Sequence, residues 1–123
     1  MASKFEFFNK SQLFLRYYYI NKQIQLQHRI INVHELNQLS WTDNNCIDFN
    51  DILYITEGHL TPIFKELNNK TNENLCLSIV YKNNNNDINV LDLQAPNQEI
   101  AKKWVIGLRL SIKNIHKVLN WIP

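Results

Sequence analysis

The sequence has little of what would mark it for a membrane, the secretory pathway or nucleic acid. No run approaches the roughly eighteen uncharged apolar residues of a membrane span, and the opening MASKFEFF lacks the regions of a signal peptide. The formal charge of +2 is too small to predict nucleic-acid binding, which requires a clustered basic surface. We therefore expect a soluble, cytoplasmic protein that does not bind nucleic acid. Any anion site must be formed by a few local residues.

Cysteine, glycine and convergent acidic groups are also scarce. Cys46 and Cys76 have no cysteine nearby, which predicts two free thiols rather than a disulfide framework or a zinc site. The two glycines form no phosphate-cradling loop, no GxSxG motif occurs, and no two carboxylates have a spacing that would make them converge. The four histidines lack partners at metal-ligand spacing. We predict a non-catalytic domain without cofactor or metal.

The clearest pattern lies between residues 75 and 110. Residues 75–82 and 88–93 are rich in β-branched, aromatic and aliphatic residues, and the polar turn between them predicts a β-hairpin. Pro96 and the capping residue Asn97 predict a helix from about Gln98. One face of this helix is apolar: Ile100, Ala101, Trp104, Val105, Leu108, Ile112 and Ile115. The opposite face is basic: Lys102, Lys103, Arg109 and Lys113.

Short extended segments precede this hairpin. The patterns predict strands at 11–20, 25–34, 37–41, 46–49 and 52–56, a loop at 42–45 and a short helix at 61–67. Thr61 is the expected cap of that helix, with Pro62 at its first position. The fold class is therefore mainly β, with about seven strands in two near-orthogonal antiparallel sheets and a C-terminal α-helix. We divide the chain into an extension at 1–10, one domain at 11–116 and a tail at 117–123.

The predicted domain resembles the pleckstrin homology (PH) domain. In that family a tryptophan on the closing helix packs into one end of a β-barrel, and Trp104 matches it. The segments CLSIVYK, LDLQAP and WVIGL, with Gly58 and Thr61 before a short helix, are most similar to the PH domain of delta-type phosphoinositide-specific phospholipase C. The asparagine-rich composition and the small number of charges also resemble apicomplexan acylated PH-domain proteins that sense phosphatidic acid.

The resemblance implies a lipid site at the open end of the barrel. In PH domains that bind phosphoinositides, basic residues of the first strand, the next loop and the second strand meet the headgroup phosphates. The matching residues are Arg16, Lys22 and Arg29, and the alternation of a strand places Arg29 on the same face as Ile31 and Val33. For Arg16 and Lys22, a simple solvated role is the alternative. Unlike the phospholipases, the chain has no basic cluster at 42–45 and has Gln27 in place of an arginine.

Aromatic and apolar residues precede the second strand. Tyrosines suit a membrane interface, so we expect Tyr18 and Ile20 to enter the lipid surface. The alternative is that alternate residues of the run at 17–20 belong to the core, and we expect this of two of the four. The expected function is recruitment to the cytosolic face of a membrane as a peripheral protein, through anionic phospholipids: phosphatidic acid, phosphoinositides or both. Two alternatives are the targeting domain of a phospholipase C and a PH domain that binds other protein domains.

Overall fold

The computed structural model describes residues 11–34, 37–42 and 45–121, and only the backbone of residues 42 and 116–121. The predicted extension at 1–10 and the last two residues of the predicted tail lie outside these ranges. The main elements within these ranges are seven strands and two α-helices. They are β1 Ser11–Ile20, β2 Gln23–His34, β3 Gln38–Thr42, β4 Asn45–Asp48, β5 Ile52–Glu57, α1 Pro62–Glu66, β6 Cys76–Lys82, β7 Ile88–Gln94 and α2 Gln98–Trp121.

The seven strands are antiparallel and have the order β4-β3-β2-β1-β7-β6-β5. Strand β1 pairs with β2 over its whole length, from Ser11 to Ile20. It pairs with β7 only where Leu15, Arg16 and Tyr17 face Gln94, Leu93 and Asp92. This short pairing, the β1–β7 seam, joins the meander β1–β4 to the meander β5–β7. The mainly β class, the strand number and the C-terminal helix are confirmed.

Helix α2 closes the core with the predicted apolar face. Trp104 is only 1% exposed, and its ring meets Phe14 of β1 edge-on, with ring centroids 5.1 Å apart. The Asn97 side chain accepts a hydrogen bond from the backbone N–H of Ile100 at 2.9 Å, which confirms the predicted cap. The helix contacts β5 and the 3-10 turn at Phe49–Asp51. It extends to Trp121, beyond residue 116, where the sequence analysis ends the domain.

Several predicted boundaries were wrong for local reasons. Strand β2 begins at Gln23 rather than residue 25, because Asn21 and Lys22, with φ of 50° and 67°, form the turn alone. Thr42 and Asn45 belong to strands rather than to a loop, and they pair with each other next to a register shift in the β3–β4 ladder. Residues 46–49 are not one extended segment, because strand β4 ends at Asp48 and Phe49 begins the 3-10 turn.

A buried carboxylate links α1 to the sheet. Asp92 of β7 is 3% exposed and accepts hydrogen bonds from Ser78 Oγ at 2.6 Å and Thr61 Oγ1 at 2.7 Å. Thr61 occupies the predicted cap position, but its hydroxyl makes this bond instead of capping α1. Burial raises the pKa of Asp92 above its ordinary value, and the bonds from Ser78 and Thr61 and the charge of Arg16 offset part of that rise.

The Ser78→Ala substitution should destabilise the domain by about 2 kcal/mol at neutral pH, because it removes one hydrogen bond to a buried carboxylate. Loss of that bond raises the Asp92 pKa further, which disfavours the charged form. The deficit relative to the parent should therefore be largest at neutral pH and shrink as pH falls through the raised pKa. Urea unfolding of both proteins at neutral and acidic pH measures the difference, and a deficit that grows on acidification would contradict this assignment.

Candidate anion-binding site

Two arginines lie together on the inner face of the β1–β2 hairpin. Arg29 pairs with Phe14 and Arg16 pairs with Gln27, so the arginines are diagonal neighbours on one face of the ladder. Both are half-buried, and the Nε atom of each is buried without a hydrogen-bond partner in the described part of the chain. Neither forms an ion pair with a described residue. The pair therefore keeps its positive charge on the inner face of the hairpin.

Aromatic rings hold the Arg16 guanidinium in place. Its central carbon lies 4.6 Å from the centroid of the Tyr18 ring and 5.8 Å from that of Trp41. Trp41 in turn contacts Tyr81 edge-on, with centroids 6.5 Å apart. Stacking of a guanidinium on aromatic faces is favourable and restricts its orientation. The Arg16 guanidinium is thus positioned in the protein without a ligand.

The electrostatics of this cluster favour an added negative charge. Desolvation is the main cause that lowers the pKa of Arg16, and the charge of Arg29 adds to the effect, whereas Tyr81, Tyr18 and the Asp92 carboxylate act in the opposite direction. Arginine stays protonated despite such a shift. The folded structure therefore retains the repulsion between Arg16 and Arg29 and the lost hydration of Arg16. An anion placed between the two guanidinium groups would relieve both. The indole N–H of Trp41, which is buried and has no partner among the described residues, is a further donor nearby.

The other two predicted site residues lie at the tip of the β1–β2 hairpin. Lys22 is exposed in the turn and makes no hydrogen bond or ion pair with any described residue. Ile20 is 50% exposed and lies on the same face of β1 as Arg16 and Tyr18. The hairpin therefore presents one apolar side chain beside the arginine cluster, with a lysine at its turn.

The sequence predicts that two of residues 17–20 belong to the core, but the structure buries one. Only Tyr17 is buried, where α1 covers β1: its ring meets Phe64 edge-on and its hydroxyl donates to Gln94 Oε1 at 2.7 Å. Tyr19 is 45% exposed, and its hydroxyl donates to Glu66 at 3.2 Å. The half-buried ring of Tyr18 lies against Arg16. Among these residues, Ile20 is the apolar group that points into solvent without an aromatic or hydrogen-bonding partner.

Trp41 and Tyr81 were missed as site residues. Each could have been recognised by alternation, since Trp41 follows the buried Leu39 by two positions and Tyr81 follows the buried Ile79 by two. Their proximity to Arg16 depends on strand pairing between distant segments, which the local pattern does not contain.

The basic face of α2 is a weaker alternative site. Arg109 donates to Glu57 Oε1 and to the carbonyl oxygen of Ile55, each at 2.9 Å. Lys103 forms an ion pair with Glu99 at 2.9 Å. Lys102 and Lys113 remain exposed. Two of the four basic groups are thus already neutralised by carboxylates.

No cluster of three metal-ligating side chains occurs in the part of the chain that the structure describes. None of the described helices has both the length and the apolar content needed to cross a membrane.

Comparison with known proteins finds similarity at the level of the fold alone. No family model matches the sequence, and neither does any curated protein. The structure is similar to PLC21 of S. officinalis, with a TM-score of 0.65, 19% identity and coverage of 86% of this chain. It is likewise similar to PLC21 of L. pealei, with a TM-score of 0.66 and the same identity and coverage. The match spans 16% and 15% of those longer chains. The chain therefore shares the fold of a small part of these proteins, consistent with a PH-like barrel.

Proposed function

We propose that this domain is a non-catalytic membrane-recruitment module that binds the phosphate of an anionic phospholipid at the mouth of the barrel. One observation carries the proposal: Arg16 and Arg29 are half-buried diagonal neighbours on one face of the β1–β2 ladder, and no described carboxylate forms an ion pair with either. Guanidinium groups match phosphate oxygens in geometry and charge. A lipid phosphate would compensate both groups, with Lys22 adding attraction from the turn.

Phosphatidic acid suits this site at least as well as a phosphoinositide. A ring with several phosphates requires many fixed donors, whereas two arginines match one phosphate group. Phosphatidic acid carries that group close to the bilayer surface, where the exposed side chain of Ile20 can insert beside it. Each buried methylene contributes about 0.8 kcal/mol, so insertion of Ile20 is comparable with the roughly 1 kcal/mol of a basic residue near an anionic surface. In this proposal Tyr18 supports Arg16 rather than entering the lipid.

Vesicle flotation tests the proposal. The domain should float with phosphatidylcholine vesicles that contain phosphatidic acid, at least as well as with phosphatidylinositol 4,5-bisphosphate at matched surface charge. It should not float with phosphatidylcholine alone. Absence from both anionic vesicle fractions at low salt would eliminate lipid binding. Micromolar calorimetric binding of free inositol trisphosphate would replace phosphatidic acid with a phosphoinositide as the preferred ligand.

The Ile20→Asp substitution should weaken flotation at least fivefold, at least as much as the loss of one basic residue, because it removes the inserted side chain and adds a negative charge. Leu13→Asp is the matched control, because Leu13 is 47% exposed and lies at the opposite end of the same strand. Equal losses for the two variants would exclude insertion of the hairpin tip.

The same flotation assay distinguishes the two alternative functions. The targeting domain of a phospholipase C would float with phosphoinositide vesicles and would bind the free headgroup. A protein-interaction domain would not float with either lipid.

A further inference from the structure

Strands β1 and β7 separate beyond the seam and leave a cleft between them. Their pairing stops at Tyr17 and Asp92, yet β1 continues to Ile20 and β7 begins at Ile88. A cleft of about 440 Å³ lies between the diverging segments, and residues 16–19 and 88–90 form its two sides. Neither segment pairs with another described strand on this side.

The register shows which main-chain groups face the cleft. The Asn83 N–H bonds to the Asp87 carbonyl and the Ala95 N–H bonds to the Leu75 carbonyl, which fixes the alternation of the β6–β7 ladder. Odd-numbered residues of β7 direct their N–H and C=O groups to β6, so those of Ile88 and Val90 point away from it. On β1, the main-chain N–H and C=O groups of Leu15 and Tyr17 face β7. By the same alternation, the N–H and C=O groups of Tyr19 point towards the cleft.

Exposed apolar side chains lie beside these groups, and the polar side chain of Asn89 also lines the cleft. Ile88, Val90 and Tyr19 are 64%, 38% and 45% exposed. At the closed end of the cleft lies Arg16, which makes no ion pair with a described residue and has a buried, unpartnered Nε. The carboxylate of Asp92 also lines the cleft, but it is 3% exposed and accepts hydrogen bonds from Ser78 and Thr61. The cleft thus combines unpaired strand edges, exposed apolar side chains and the guanidinium group of Arg16.

We propose that this cleft binds an extended peptide segment of another protein, which adds a strand to the free edge of β7. A strand is the ligand that satisfies a row of N–H and C=O groups, and alternate apolar side chains would cover the rim. The charge of Arg16 selects a segment with a carboxylate at the end that enters the cleft. Peptide binding does not require lipid binding. The two ligands would compete, because both would contact Arg16.

Selection from a display library of random octapeptides, in the absence of lipid, tests the proposal. The enriched sequences should alternate apolar residues and carry an acidic residue at one end. The selected peptide, added to the isotope-labelled domain, should shift the amide resonances of Ile88, Val90 and Tyr19. N-methylation of alternate peptide nitrogens should weaken binding at least fivefold in one register and not in the other, because only one set of N–H groups faces β7.

A protein variant gives a second test. Val90→Pro removes an N–H that faces the cleft and leaves the β6–β7 hydrogen bonds intact, so it should weaken peptide binding about fivefold or more. Val90→Thr keeps the N–H and the shape and is its control. Enrichment of no peptide, shifts confined to β3, β4 or α2, or equal effects of both N-methylated registers would overturn the proposal. A concentration-dependent dimer that shifts the same three amides without peptide would also overturn it, in favour of a second copy of this chain.

Discussion

Trp104→Ala should lower the free energy of unfolding by about 3–5 kcal/mol, a large share of the total for a domain of this size. The indole is 1% exposed and meets the Phe14 ring edge-on, so its removal leaves a cavity between α2 and β1. The melting temperature should fall by more than about 10 °C. Thermal and urea unfolding, followed by circular dichroism, measure both quantities.

Ile106→Ala is the control for this experiment, because Ile106 lies on the same helix and is 52% exposed. It should change stability by no more than about 0.5 kcal/mol. If Trp104→Ala melted within a degree or two of the parent, the placement of α2 in the core would be wrong.

Arg29→Glu should reduce binding to phosphatidic acid vesicles about 30-fold while the fold remains intact. The reversal removes one attractive charge and adds one repulsive charge, each worth about 1 kcal/mol at an anionic surface. The new carboxylate would also lie beside Arg16 and neutralise it. Sedimentation with vesicles at several lipid concentrations measures the change, and circular dichroism confirms folding.

Lys113→Glu introduces the same change of charge on the exposed face of α2, an element that contributes no residue to the arginine pair. It should leave vesicle binding within about twofold of the parent, since an exposed charge outside the arginine pair is screened by salt. A large loss for this variant, with Arg29→Glu unaffected, would move the site to the helix.

Local chemistry was sufficient to predict several elements of this fold. Strand β1 has the bounds that its pattern indicated, and Asn97 caps α2 as its position after Pro96 suggested. Alternation alone put Arg29 on the buried face of β2, two positions from Ile31. These features depend on neighbours within a few residues, which the sequence displays directly.

The remaining features depend on contacts between distant segments. Asn45 has low strand propensity, and Thr42 lies in a polar run that reads as a loop, but the two are strand residues that pair with each other. The proximity of Arg16 to Trp41 and the bond from Thr61 to Asp92 follow from the arrangement of strands in the sheet. The cleft beside β7 follows from where the pairing with β1 stops. No local pattern contains that information.

The β1–β7 seam has a consequence for the order in which the chain folds. The hairpins β1–β2 and β6–β7 close short loops, whereas the seam joins residues as far apart as Leu15 and Gln94, 79 positions along the chain. Closing a long loop costs more entropy than closing a short one, and three residue pairs offer little to offset that cost. Each meander can therefore form its local contacts first, and the joining of the two meanders at the β1–β7 seam is expected to be a late event in folding.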